Sequence, residues 1–332
     1  MSSAAQHLDP EVLLSKAVIN ETNLPNSVLN RQQADRFLDL VVDYSILLKR
    51  VRRVRVNNAK GVINKLDLGS IVTEGASATT TASARIPTES TVNWDTIKYR
   101  SAFDLKTDFI EDNLEGDNIR DRLLNMFTKR IAVDAEVASI EGDASLTTGD
   151  AQSDSNNLLG VNDGFIELFS DSVPAGNKLA AAGTASSFKM FYDMKRKIPS
   201  RYRVAKPDYR FVVPSSVYDK WTYDTAARAT TGGDKARESA NGATPLGTQM
   251  VEVPLIPEDL TYGSNSDATT LWLTPLQNLI WFVQRDITIE WDRVPRSDQW
   301  EVTIHFRQDV QVENCAMVVT ATGVREDGSD YA

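Results

Sequence analysis

Residues 117–143, DNIRDRLLNMFTKRIAVDAEVASIEGD, carry the longest uninterrupted helical signal in the chain. Ile119, Leu123, Phe127, Ile131, Ala135 and Ala138 recur at steps of three and four and so share one stripe of an α-helix, while Arg120, Asp121, Lys129, Arg130 and Asp134 fall elsewhere. No proline or glycine interrupts Asn118 to Glu141. Asp117 is a good N-cap, and Gly142 stands where a left-handed residue would end the helix. Such a rod is roughly 36 Å long, and its apolar stripe requires a core to face. The carboxylates before it, Asp104, Asp108, Glu111, Asp112 and Glu115, favour the positive end of the helix dipole.

A chain of 332 residues can bury a large core around this rod and divides naturally into two lobes. With 41% hydrophobic and 25% charged residues it reads as globular, apart from the N-terminus and a few loops. A net charge of −10 argues against a protein whose main task is gripping nucleic acid, since neutralising phosphates needs a basic face. The single cysteine, Cys315, excludes an internal disulfide and a multi-cysteine metal site and suits a reducing cytoplasm. No signal-peptide pattern opens the chain, and no run approaches the ~20 apolar residues that span a bilayer. The expectation is a cytosolic protein with no membrane partner.

Residues 1–56 read as an arm followed by a helix. Asn30 can cap, and Ala34, Phe37, Val41, Tyr44 and Leu48 fall at helical spacing. The helix runs into Lys49, Arg50, Arg52, Arg53 and Arg55, interleaved with valines. This basic run reads as a nucleic-acid contact, or as a β-strand whose basic face pairs with acidic surface in the chain or on a neighbour. The acidic overall balance favours the second. Residues 57–104 read as a long two-stranded excursion. One arm holds Val62, Ile63 and Leu66, and the other Val92, Trp94, Ile97, Tyr99 and Phe103. Its tip, Ala76 to Ala84, consists only of alanine, serine and threonine, including Thr79, Thr80 and Thr81, and buries almost nothing. An isolated hairpin of this length is marginal in water, so a second chain is the natural cover.

Residues 105–184 comprise the rod and a polar loop anchored by Leu158-Leu159-Gly160. An α/β lobe follows over 185–278. It contains a helix from Ser187 to Tyr202 with Phe188, Phe191 and Met194 on one face, a strand Tyr209 to Val213, and a helix from Pro214 to Tyr223. After a loop from Thr225 to Thr248 come strands at Gln249–Val253 and Thr270–Leu273. Residues 279–332 are nearly all β and return to pack on the rod.

Chemistry is sparse. His7 and His305 lie in no metal-ligand spacing, Thr231 to Lys235 lacks the spacing of a phosphate loop, and Asp150, Asp154 and Asp163 do not form a calcium loop. The expectation is no catalytic site, no cofactor and no metal.

The order of elements resembles the major capsid proteins of tailed bacteriophages with the Hong Kong 97-like fold. Four stretches carry the likeness: Glu141-Gly142-Asp143 followed by Leu158-Leu159-Gly160; Tyr209 to Tyr223; Leu246-Gly247-Thr248-Gln249-Met250-Val251 through Pro257; and Arg285 to Glu290 with Arg307-Gln308-Asp309 and Asn314 to Val319. The resemblance implies an α+β fold with an N-terminal arm, an extended hairpin loop, a spine helix on a peripheral β-sheet, and an α/β axial domain. It implies a structural protein of the virion capsid, assembled in the host bacterial cytoplasm. Hexamers and pentamers would close into an icosahedral shell around double-stranded DNA contacted non-specifically, with portal and decoration proteins as further partners. Many relatives carry a long N-terminal scaffolding segment. The region before the hairpin is much shorter here, which implies either a separate scaffolding protein or a numbering that begins after processing, with Met1 favouring the first. An encapsulin-type nanocompartment has the same fold, and a soluble α+β enzyme is the remaining class.

Overall fold

The computed structural model describes residues 45–67, 88–106, 119–146, 158–181, 183–204, 207–227, 244–262, 265–284 and 288–325. The arm before Ser45, the hairpin tip 76–84, the carboxylates from Asp108 to Glu115 and the loop 228–243 lie outside the described residues. In chain order the elements are β1 (Arg52–Val56), β2 (Lys60–Asp67), β3 (Thr88–Asp95), β4 (Ile97–Lys106), α1 (Ile119–Glu141), α2 (Phe165–Ser172), β5 (Lys178–Ala180), α3 (Phe188–Lys197) and α4 (Ser200–Val204). They continue with β6 (Tyr209–Val213), α5 (Ser215–Ala226), β7 (Met250–Glu252), β8 (Leu260–Tyr262), β9 (Asn265–Pro275), β10 (Leu279–Gln284), β11 (Thr288–Val294), β12 (Gln299–Val312) and β13 (Val319–Arg325).

The first sheet is built on β12. Strands β10 and β11 follow one another antiparallel along one edge of it, and β4 runs antiparallel along the other. Strand β1 adds in parallel outside β10. The apolar run of β10, Leu279 to Val283, is continuous because both faces are covered. Leu279, Trp281 and Val283 join the core under α1, while Ile280 and Phe282 join a second cluster under the β2–β3 hairpin.

Helix α1 presents Ile131, Ala135 and Ala138 to that core, as the stripe predicts for its C-terminal half, together with Ala132 and Ile140, which the stripe did not include. The seam is also tied by polar groups: Trp281 Nε1 donates to Gln308 Oε1 at 3.1 Å, and Gln308 Nε2 donates to the Ala135 carbonyl at 3.1 Å. The helix ends as expected at Glu141, but Gly142 does not adopt the left-handed conformation. Its amide still bonds the Ala138 carbonyl at 3.1 Å. A Cβ there would lie 2.3 Å from the carbonyl oxygen of Asn162, so close backbone approach is what requires glycine.

The second sheet has the order β5-β13-β9-β6-β7, with β8 on β9. Val212, Val251 and Trp272 share the first core with Phe165 and Phe169 of α2, and both rings meet Trp272 edge-on. On the opposite face Phe211, Leu271, Leu273 and Val319 pack against Met190, Phe191 and Met194 of α3 and Val217 and Trp221 of α5. Two crossovers link the sheets and bond one another. Asn278 Nδ2 donates to the Asn314 carbonyl at 3.0 Å, and the Asn314 amide donates to Asn278 Oδ1 at 2.9 Å.

Several sequence expectations change. Residues 45–50 form bends and turns rather than the end of a helix, because the amides of Ile46 and Leu47 bond the Glu136 carboxylate instead of preceding carbonyls. The stretch Ser187–Tyr202 is two helices, since Pro199 cannot continue α3. The excursion is shorter than 57–104: β4 pairs with β12, leaving β2 and β3 as the paired hairpin. Strand β1 belongs to the first sheet rather than to an arm, and β13 pairs with β5 and β9 in the second sheet rather than returning to the first.

Candidate assembly surface

The basic run does become a strand, yet it has no single basic face. Alternation along β1 puts Arg52 on the side of Val54 and Val56, towards the hairpin, and Arg53 and Arg55 on the other, half-buried. Arg52 pairs with Glu313 at 3.0 Å, a carboxylate next to the crossover rather than one of the acids before α1. Lys49 and Arg50 are exposed in the turn ahead of β1. Arg50 edges a groove of about 660 Å³ that also contains Asp208, Arg210, Gln249 and Gln277. Of the tip residues, Ala76, Thr79, Thr80, Thr81 and Ala84 all lie outside the described residues.

The stem of the hairpin is anchored to its own subunit. Gly61, Ile63 and Lys65 of β2 pair with Trp94, Val92 and Ser90 of β3. This side faces the body, with Trp94 stacked on Phe282 at 5.2 Å and Val92 buried. Gly61 is obligatory here, because the Trp94 ring occupies the place of a side chain. The Lys65 ammonium reaches the Glu313 carbonyl, and Lys60 pairs with Asp95 at 2.6 Å. The opposite face leaves Val62 52% and Leu66 72% exposed, an apolar surface that the described subunit does not cover.

A buried carboxylate that the sequence did not single out as polar core holds the stem in place. Asp309 on β12 accepts the Asp95 amide at 2.9 Å and Asn162 Nδ2 at 2.8 Å, joining the hairpin, the loop after α1 and the first sheet. Burial raises its pKa, against those hydrogen bonds, which lower it. Glu136 of α1 is likewise buried, holding the amides of Ile46 and Leu47 at 2.8 and 2.5 Å. Among the described residues no group of three or more His, Cys, Asp or Glu side chains is arranged to hold a metal ion.

These features describe a chain whose hairpin stem is held by its own body and whose outer hairpin face is bare. The chain has the fold of phage capsid subunits. It superposes on the satellite phage P4 procapsid with a TM-score of 0.66 at 16% identity, covering 95% of this chain and 96% of that one. It superposes on the capsid of a native GTA particle with a TM-score of 0.62 at 13% identity, covering 96% and 99%. The SrpI encapsulin of Synechococcus elongatus PCC 7942 is also similar, with a TM-score of 0.53 at 11% identity and 96% coverage of both chains. By sequence, the chain is 26% identical over 324 residues to the putative prophage capsid protein YqbE of Bacillus subtilis (strain 168), covering 95% of this chain and 98% of the relative. No family model matches. Fold and relative together make this chain a shell-forming capsid protein of the phage type, a structural protein.

Proposed function

We propose that the protein is the major capsid subunit of a tailed phage or prophage, with the Hong Kong 97-like fold, assembling as hexamers and pentamers into an icosahedral shell around double-stranded DNA. The observation that carries this reading is the end-to-end likeness to a prophage capsid protein, supported by a hairpin whose stem is anchored and whose outer face is bare. On this reading a separate scaffolding protein and a portal act during assembly in the host cytoplasm, and decoration proteins add to the finished virion capsid.

The hairpin tip, Ala76 with Thr79, Thr80, Thr81 and Ala84, touches a neighbouring subunit. Lys49, Arg50, Arg52, Arg53 and Arg55 act in contacts between protein surfaces, of which the Arg52–Glu313 pair is an internal example. The likeness to SrpI favours the encapsulin reading. Electron microscopy of particles purified from the native source tests both readings. Closed shells protecting nuclease-resistant double-stranded DNA support the phage reading, shells filled with protein support the encapsulin one, and no shells at all would sink both.

A further inference from the structure

Opposite charges are sorted into two consecutive stretches of the chain. Residues 131–177 hold nine Asp and Glu and no Lys, Arg or His, whereas residues 178–210 hold nine Lys and Arg against Asp193 and Asp208. Those two acids are paired locally, Asp193 with Lys189 at 3.1 Å and Asp208 with Arg210 at 2.7 Å. The densest part of the second stretch is 195–203, KRKIPSRYR, five cations in the last turn of α3 and in α4.

The fold draws these five onto one surface. Arg203 Nη2 donates to the carbonyls of Lys195 and Arg196 at 2.6 and 2.7 Å, which ties α4 back to the end of α3. The Lys195 ammonium donates to the Leu246 carbonyl at 2.8 Å, and that of Lys197 to the Gly176 carbonyl at 3.1 Å. These acceptors are neutral, and the dipole at a helix end amounts to only about half a charge. Among the described residues no ion pair joins Lys195, Arg196, Lys197 or Arg203 to a carboxylate. Val204, 82% exposed, and Tyr202, whose ring lies 4.9 Å from the Arg201 guanidinium, add apolar area beside the cations.

The acidic stretch gathers where α1 turns into α2, at Glu141, Asp143, Asp163, Glu167 and Asp171. Burial first, and then Asp143, Asp171 and Asp163, raise the pKa of Glu167. Glu141 and Asp143 stand at the C-terminal end of α1, where the dipole disfavours a carboxylate. Helix α2 packs on the face of the second sheet that carries Val212 and Trp272, and α3 on the face that carries Phe211 and Leu271. The sheet therefore holds the two surfaces apart within one subunit. Their border is the β5 edge, where the Lys178 ammonium reaches the Ser170 carbonyl.

We propose that the cationic surface of α3 and α4 is a contact between copies of the chain, occupied by the acidic turn between α1 and α2 of a second copy. The inference rests on the shell-forming reading. Charge complementarity selects the occupant, and the exposed Val204 beside Tyr202 suits a protein surface better than a phosphate backbone. A contact between two different patches of one chain runs head to tail, and such contacts close into rings.

The test inverts each surface alone and then both together. One chain carries Arg196→Glu with Arg201→Glu, a second Glu167→Lys with Asp171→Lys, and a third all four changes. Each double variant should yield at least about tenfold fewer particles than the wild type at low salt, and the fourfold variant should recover them, since complementarity returns with the signs exchanged. Arg196→Glu alone separates assembly from folding. Its side chain forms no hydrogen bond or ion pair with a described residue, so the unassembled subunit should melt as the wild type does while assembling less. Wild-type yields from either double variant would overturn the interface, and normal shells that retain less DNA when the cations are inverted would make nucleic acid the occupant instead. A fourfold variant no better than the doubles, with melting transitions intact, would overturn the acidic turn as occupant. Absence of particles from the wild type would instead overturn the shell reading beneath it.

Discussion

The amide of Gly164 donates to the carbonyl of Gly142 at 2.7 Å, so the backbone leaving α1 and the backbone entering α2 touch with no side chain between them. A Cβ on Gly142 would sit 2.3 Å from the Asn162 oxygen, and one on Gly164 would sit 2.7 Å from the Gly142 nitrogen. The contact fixes the turn that places Asn162 on Asp309.

Gly142→Ala should therefore destabilise the subunit by about 3 kcal/mol, since the opposing atoms are backbone and cannot swing aside. Gly176→Ala, where a Cβ would meet nothing within 4 Å, is the control and should stay within about 0.5 kcal/mol. Urea unfolding of both variants measures the difference, and equal midpoints would show that the turn relaxes freely.

How much of this was legible beforehand depends on what each residue answers to. The rod could be read because its stripe is local, and β6 came out at Tyr209–Val213 as expected because its apolar run is bounded by Pro207 and Pro214. The role of Gly142 could not be read, because Asn162 defines it from twenty residues away. Glu136 and Asp309 look like surface acids in sequence. They are buried because each satisfies amides from distant strands or turns, a tertiary fact with no local signature. Helix α2 did leave a signal, Phe165 and Phe169 one turn apart after Gly164, within a segment whose polar neighbours suggested a loop. In β1 the strand was legible but not its faces: Arg52 and Arg53 necessarily point in opposite directions.

Glu136→Ala should cost about 2–4 kcal/mol, because two buried amides lose a charged acceptor. Residues 45–51 should become sensitive to protease in the same variant, at Lys49 or Arg50. If limited proteolysis leaves that turn as resistant as in the wild type, the Glu136 contacts do not hold it.

Glu141 ends α1 with its pKa pushed up to about 7, by burial first and by Asp259 second. A carboxyl whose folded pKa exceeds its unfolded one binds its proton more tightly in the folded state. Its contribution is thus complete below about pH 4.5 and is lost as pH rises towards 7. Glu141→Gln should remove this dependence and stabilise the subunit at pH 8 by on the order of 1 kcal/mol, reduced from the full shift because the carboxyl remains partly solvated. Thermal melts from pH 4 to 8 test this, and parallel curves for variant and wild type would refute it.

Trp94→Ala should loosen the hairpin stem by removing the stack on Phe282, costing roughly 2–3 kcal/mol. Hydrogen exchange at Ile63 and Val92 should quicken well beyond that at Trp281, which lies on the other side of the sheet. Uniform exchange across both sites would indicate global destabilisation instead.

The two crossovers joined by Asn278 and Asn314 mean that neither lobe is one continuous piece of chain. Arg52 meets Glu313 across 261 positions, and Gln308 reaches Ala135 across 173. Such high contact order slows folding, because chain entropy is lost before distant strands repay it. It also acts as a completeness check during synthesis. Until β12 and β13 have left the ribosome, β4, β10 and β11 lack the strand that joins them and β5 is not joined to β9, so a truncated chain completes neither sheet.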